Sequence, residues 1–335
     1  MTKGAEMAVT DLIEYGRDLL GVVGERERGA LADRIAVRPV RSALYVPGNR
    51  RDWLRKAPRH GADAILIDLE DSVPPAERDA ARAIVSEEIG PLSEQVGAVW
   101  VRLNSESDEV LDDLAAATVP GLAAVQLPKV FDPDAIVELD RALGYYEGRN
   151  GLPFGTIAII PILETASGIR RAFDIAMCSR RVEYLGALVA PDGDTARALN
   201  LRAMSDPAGT ESLHLRSKVL LDSRAAGVTN PLGGVVTDLR PDSPVLEAFA
   251  RMNRDLGYSG MIVIHPSHVP VVNAVYSPSA EEIRRARQVL EALHASADRG
   301  AIRGPGDGEM IDYAMGRVAV LTLQSAAAFG LDVDG

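Results

Sequence analysis

From residue 42 onward the chain alternates between short, almost continuously apolar runs and longer stretches with a helical mix of apolar and charged positions. The apolar runs are SALYV (42–46), AILID (64–68), AVWVRL (98–103), AAVQL (123–127), TIAIIPIL (156–163), EYLGALVA (183–190), GVVTD (234–238, or the preceding GVTNPL) and MIVIH (261–265). They are rich in Val, Ile and Leu, and too short for helices. A strand buried on both faces reads as such a run, whereas a strand with one wet face alternates. Stretches such as PAERDAARAIVSEEI and SAEEIRRARQVLEALHA between or after the runs read as amphipathic helices. Strand–helix repetition of this kind predicts a parallel sheet. Eight units within about 230 residues predict a closed (β/α)8 TIM barrel of the α/β class over an open sheet. Residues 10–35 read as one or two charged amphipathic helices. With no low-complexity linker, the expected organisation is an N-terminal helical extension (1–38), one barrel domain (39–298) and a C-terminal helical segment (299–335).

Composition narrows the functional classes. Formal net charge is −12, and no basic tract is present to neutralise phosphates, so a nucleic-acid partner is not expected. The single cysteine, Cys178, excludes an intrachain disulfide framework and a cysteine metal cluster. No apolar run approaches the roughly 20 residues that span a bilayer. The first twenty residues carry Glu6, Asp11, Glu14 and Asp18, unlike a signal peptide, so a cytoplasmic protein is expected.

Candidate chemistry lies at the ends of the runs. In a TIM barrel the site forms at the C-terminal ends of the strands. The residues there are Pro47-Gly48-Asn49-Arg50, Asp68-Leu69-Glu70-Asp71, Arg102 with Asn104, Pro128-Lys129, Glu164-Thr165, Asp192 with Asp194, and His265-Pro266-Ser267-His268. The opposite ends, such as Gly61-Ala62-Asp63 and Gly121-Leu122, are plainer. Carboxylates without cysteine suit Mg²⁺, which takes one or two of them and fills its shell with water and substrate. Glu164 and Asp192 or Asp194 end neighbouring strands, which lie about 4.8 Å apart, so one ion is within reach of both. Each acid also has a plainer reading. Glu164 is favoured beside the dipole of the helix that follows; Asp192 and Asp194 suit a turn and a helix cap. Arg102 can recognise a carboxylate or a polarised carbonyl, or pair internally with Asp68, Glu70 and Asp71. Those three acids are too many to ligate one metal together, so at least two support it from outside. Pro266 argues against a helical His265–His268 metal pair.

Taken in order, RSALYVPGNR (41–50), GADAILIDLEDSVPPAERDAAR (61–82), VWVRLN (99–104), LPKV (127–130), ILETASG (162–168), GYSGMIVIHPSHVPVVNAVYSPSAEEI (257–283) and GEMID (308–312) resemble the signature stretches of citrate lyase beta subunit-like proteins of the HpcH/HpaI aldolase superfamily. The resemblance implies a Mg²⁺-dependent (β/α)8 lyase acting on CoA thioesters of malyl, citramalyl or citryl type, assembled as a homotrimer or homohexamer. The family's arginine falls on Arg102 and its first metal carboxylate on Glu164. The aspartate of its C-terminal G-x-M-[IV]-D stretch falls on Asp312, which in family members closes over a neighbouring subunit's mouth as acid/base. Asp68, Glu70, Asp71, Asn104, Pro128, Lys129 and Arg41 are expected around the substrate. Two departures stand out. Met261 follows Gly260 where the family often has lysine. The second metal aspartate usually stands three residues after a glycine, in G-x-x-D-L-A-A-D-L-G, and that count from Gly186 reaches Val189. Counted backward from the closing glycine, with Asn200 in its place, the aspartate is Asp194, displaced by a longer loop; Asp192 is the runner-up. A thioesterase on a malyl-CoA-type ester, a non-catalytic partner subunit with the same barrel, and an aldolase acting without CoA are the alternatives.

Overall fold

The computed structural model describes residues 8–20, 37–186, 193–201, 209–240, 244–296, 302–303 and 310–333. Contacts divide the chain into two compact units, Arg26–Tyr276 and Met1–Glu25 with Ser277–Gly335.

The larger unit is a (β/α)8 barrel. Its strands are β1 (Ser42–Pro47), β2 (Ala64–Asp68), β3 (Ala98–Arg102), β4 (Leu122–Leu127), β5 (Ala158–Pro161), β6 (Tyr184–Gly186), β7 (Asn230–Gly233) and β8 (Gly260–Val263). Every pairing is parallel, in the order β5-β4-β3-β2-β1-β8-β7-β6. Parallel bridges Ile159↔Val182 and Ile162↔Gly186 close the ring between β5 and β6.

Strand period 2 sorts the side chains into two apolar clusters. Ala43, Leu66, Trp100, Ala124, Ile160 and Ile262 face inward and fill the barrel, where the Trp100 ring lies 4.7 Å from that of Tyr184. Their neighbours Leu44, Ile65, Ile67, Val99, Val101 and Val125 face outward into the larger cluster shared with the helices. Both faces are dry, which is why the strands read as unbroken apolar runs.

The seventh strand corrects the first of its two sequence placements. GVVTD (234–238) is irregular, and β7 lies within and just beyond the preceding GVTNPL. Pairing fixes it: Tyr184 sits opposite Asn230, and Leu232 opposite Gly260. Val235 and Val236 are buried in the inner and outer clusters respectively, so their apolar character reflects packing past the strand end, not pairing. The last four residues of EYLGALVA lie outside the described residues.

In the smaller unit the helices Val9–Leu20, Ala280–Ala295 and Tyr313–Ala328 bury Leu12, Ile283, Leu290, Leu293, Val320 and Leu323 against one another. Ser279 and Glu282 form a capping box at the start of the second helix. Asp312 caps the third, its carboxylate accepting from Met315 N at 3.0 Å. The sequence division at residue 298 had left Ala280–Ala295 with the barrel; its apolar stripe packs instead against the other two helices of this unit. An amphipathic pattern shows that a face is covered without showing what covers it. Among the described residues no helix is long and apolar enough to cross a membrane.

Candidate active site

The inward period that places Ala64 and Leu66, or Ala98 and Trp100, in the barrel interior next brings Asp68 and Arg102 to its rim. In register, Asp68 lies opposite Arg102 and Arg102 opposite Gln126. Along β5 and just past its end, Ala158, Ile160 and Ile162 lead by the same step to Glu164. The barrel is thus apolar through its middle and polar at one end.

Asp68 and Arg102 pair through two bonds, Nε to Oδ1 at 2.6 Å and Nη2 to Oδ2 at 2.7 Å. Asp68 also accepts from the backbone N–H groups of Glu70 and Ser72. Burial pushes its carboxyl pKa up, but the guanidinium and these donors outweigh burial, and the net shift is downward. Nη1 of Arg102 reaches Glu70 at 2.9 Å and Asp71 at 3.1 Å. Glu70 is buried and also takes the Lys129 ammonium at 2.7 Å. Burial, helped by Asp71, still raises its pKa against both cations.

Lys129 adopts a left-handed backbone, φ 53°, uncommon for a residue with a side chain. It directs its N–H to Glu164 Oε1 at 2.9 Å. Its ammonium lies 3.8 Å from both Asp71 and Asp194. Asp194 opens the helix Asp194–Leu199 and pairs with Arg197 at 2.7 Å. That helix ends at Asn200 in a left-handed cap, φ 51°, a conformation usually given to glycine and next most readily to asparagine. Burial drives the Glu164 pKa up to about 7; the Lys129 N–H opposes this, while the Asp194 and Glu70 charges add to it.

Arg102, Asp68, Asp71, Glu164 and Asp194 line one cavity of about 740 Å³. Around Arg102 and Lys129 stand five carboxylates: Asp68, Glu70, Asp71, Glu164 and Asp194. A surplus of oxygen anions suits a hard divalent cation. Among the described residues, no group of three or more His, Cys, Asp or Glu side chains forms a metal cage. Glu164 and Asp194, two carboxylates on the same cavity, are of the oxygen-donor type that could hold such an ion, Mg²⁺ keeping several waters.

The other expected residues separate. Arg41 precedes β1, at the opposite end of the barrel, and is spent on Asp63 through 2.8 Å bonds from N, Nε and Nη2; this corrects its placement near substrate. Asn104 is wholly buried, tying Leu69 O to Asp113 and so bracing the loops after β2 and β3. Pro128 is buried beside Lys129. His265 lines the cavity and bonds Ser267, whereas His268 is buried on Asp238 O. Asp192 lies outside the described residues, and Asp312 belongs to the smaller unit. The cavity also includes Tyr45, Trp53, Lys56 and His60, which sequence reasoning missed. Tyr45 was hidden inside an apolar run, and the other three within an ordinary-looking amphipathic stretch.

Residues 41–266 match the HpcH/HpaI aldolase/citrate lyase family. The chain belongs to this family. It is 32% identical to the citrate lyase subunit beta of Leuconostoc mesenteroides, over 81% of this chain and 88% of that one. To the (3S)-malyl-CoA thioesterase of Cereibacter sphaeroides it is 31% identical, over 87% and 95%. Among solved structures, the CitE protein of Mycobacterium tuberculosis in complex with magnesium, acetoacetate and coenzyme A superposes with a TM-score of 0.66. It shares 29% identity, over 86% of this chain and 98% of that one. These relatives support an HpcH/HpaI-family enzyme related to CoA esters, and they include both a lyase subunit and a thioesterase.

The Glu164 environment has a measurable consequence. A pKa raised from 4.5 to about 7 means that the folded state holds this proton more tightly than the unfolded state does. The resulting stability is fully present below about pH 4.5 and is lost as pH rises through about 7. In chelator, Glu164→Gln should match the wild type near pH 4 and exceed it by about 1–3 kcal/mol at pH 8, read by urea unfolding. A gap that does not change with pH would refute the assignment of this shift.

Proposed function

We propose that this protein is a Mg²⁺-dependent carbon–carbon lyase for a hydroxyacyl-CoA thioester of malyl, citramalyl or citryl type. The observation that carries the reading is the surplus of carboxylates at the barrel mouth, with Glu164 and Asp194 on the same cavity as Arg102. The left-handed cap at Asn200 supports Asp194 as the aspartate of the family pattern, since the closing position takes a glycine-like conformation. Glu164 and Asp194 would hold the ion, which when bound supplies Lewis acidity and a template for the oxygens of the oxo-acid half.

Cleavage breaks the bond between the hydroxyl-bearing carbon and the thioester α-carbon. The hydroxyl gives its proton to solvent water and becomes the carbonyl of the oxo acid, and the electron pair of the broken bond passes to the thioester as an enolate. Arg102 is the group to meet that charge. Asp68 takes Nε–H and one Nη2–H, setting the direction of the guanidinium, while the other Nη2–H has no carboxylate partner among the described residues. Asp312, supplied by a neighbouring copy in a homotrimer or homohexamer, would protonate the enolate carbon, or remove that proton in condensation.

Thioester hydrolysis is the second reading, favoured by the malyl-CoA thioesterase relatives. Incubation with malyl-CoA, citramalyl-CoA and citryl-CoA separates the two. Acetyl-CoA with an oxo acid marks a lyase, and free CoA with the intact hydroxy acid marks a thioesterase. Glu164→Ala and Asp194→Ala should each abolish Mg²⁺-dependent turnover while the far-ultraviolet circular dichroism is unchanged. An active Glu164→Ala enzyme would remove the metal assignment. For Asp312, mixing inactive Asp312→Ala with inactive Glu164→Ala subunits should restore part of the activity. No recovery after verified subunit exchange would end the shared-site proposal.

A further inference from the structure

The barrel interior is apolar at most inward positions, yet besides Trp100 and Tyr184 it holds Tyr45 and Gln126, whose hydrogen-bonding groups a Phe and a Leu would replace in volume. Tyr45 on β1 donates its hydroxyl proton to Gln126 Oε1 on β4, three places away in the sheet order. Gln126 is fully buried, and its Nε2 has no partner among the described residues. A buried amide left half-satisfied is a cost that packing does not require. Tyr45 lines the cavity, and the Arg102 guanidinium carbon lies 4.8 Å from the centre of its ring. Gln126 stands next to Arg102 in register.

We infer that Tyr45 and Gln126 are a positioning pair that sets the tilt of Arg102. The two Asp68 bonds fix the guanidinium within its own plane. Nη1 also reaches Glu70 at 2.9 Å and Asp71 at 3.1 Å, and tipping of the plane would loosen all of these bonds, the Nε–H bond included. The Tyr45 ring opposes tipping by supporting the face of the guanidinium through a cation–π contact. The hydroxyl bond to Gln126 keeps the ring from swinging about its own side-chain torsions. Asp68 thus governs direction, and the tyrosine–glutamine pair governs tilt. Neither residue of the pair needs to touch the reacting atoms.

The inference rests on the proposed role of Arg102 only for its kinetic consequence, so its test has one readout independent of any substrate. Three variants are compared with the wild type: Tyr45→Phe, Gln126→Leu and the double variant. The first readout is hydrogen exchange at the Arg102 Nε–H, followed by ¹⁵N NMR and assigned with Arg102→Lys. It should quicken several-fold in each single variant. The second is kcat with the active thioester, expected to fall about tenfold with KM little changed. The third is Tm, which should drop in each single variant and return in the double variant, where no polar group is left without its partner. In the double variant, exchange and kcat should stay altered. Unchanged exchange in Tyr45→Phe, or a double variant that recovers exchange and kcat along with Tm, would make the pair a packing feature and overturn the inference. A wild type silent on all three thioesters would count against the lyase reading, and the exchange measurement would still decide the role of the pair.

Discussion

Everything at the barrel mouth follows from an imbalance of charge. Arg102 and Lys129 hold together five carboxylates, two of them almost wholly removed from water. Like charges at this spacing are tolerated only when protons or cations intervene. Two outcomes are visible side by side. Asp68, with a bidentate guanidinium, stays ionised more readily than an ordinary carboxyl. Glu164 accepts, among the described residues, from the Lys129 backbone N–H, and it keeps its proton to about pH 7. One acid is paired with a cation, and the other is held toward its neutral form.

The scaffold delivers this arrangement cheaply. Four consecutive strands share one inward parity, so a single rule carries apolar residues through the interior and then presents Asp68, Arg102, Gln126 and Glu164 at the end. The remaining adjustments are local. The left-handed backbone of Lys129 turns its N–H onto Glu164 while its ammonium bridges Glu70 and approaches Asp194. The apolar middle of the barrel excludes water beneath the site and strengthens each of these interactions.

Much of this was legible in the chain because full burial on both faces makes strands read as unbroken apolar runs, and charged residues that end such runs must lie at the rim. Asp68, Arg102 and Glu164 are of this kind. β7 was harder: Pro231 and Gly233 weaken its strand signal, while Val235 and Val236 imitate one through packing. Arg41 was misplaced because its chemistry says nothing about which end of a strand it occupies, although its position before the run, not after it, was the available clue. Tyr45 and Gln126 were passed over for the opposite reason. Set within apolar runs, a phenol and an amide look like ordinary strand residues until the barrel closes and brings β1 and β4 face to face. The placement of Asp194 depended on Asn200, whose left-handed cap gives a physical reason for counting back from that residue.

The central claim is that Glu164 and Asp194 complete their charge balance with a divalent cation. Calorimetric titration of Mg²⁺ into the chelator-treated protein at pH 8 tests it most directly. The account predicts one ion per chain, with affinity lowered at least roughly tenfold by either Glu164→Gln or Asp194→Asn. Binding as tight in both variants as in the wild type would contradict it.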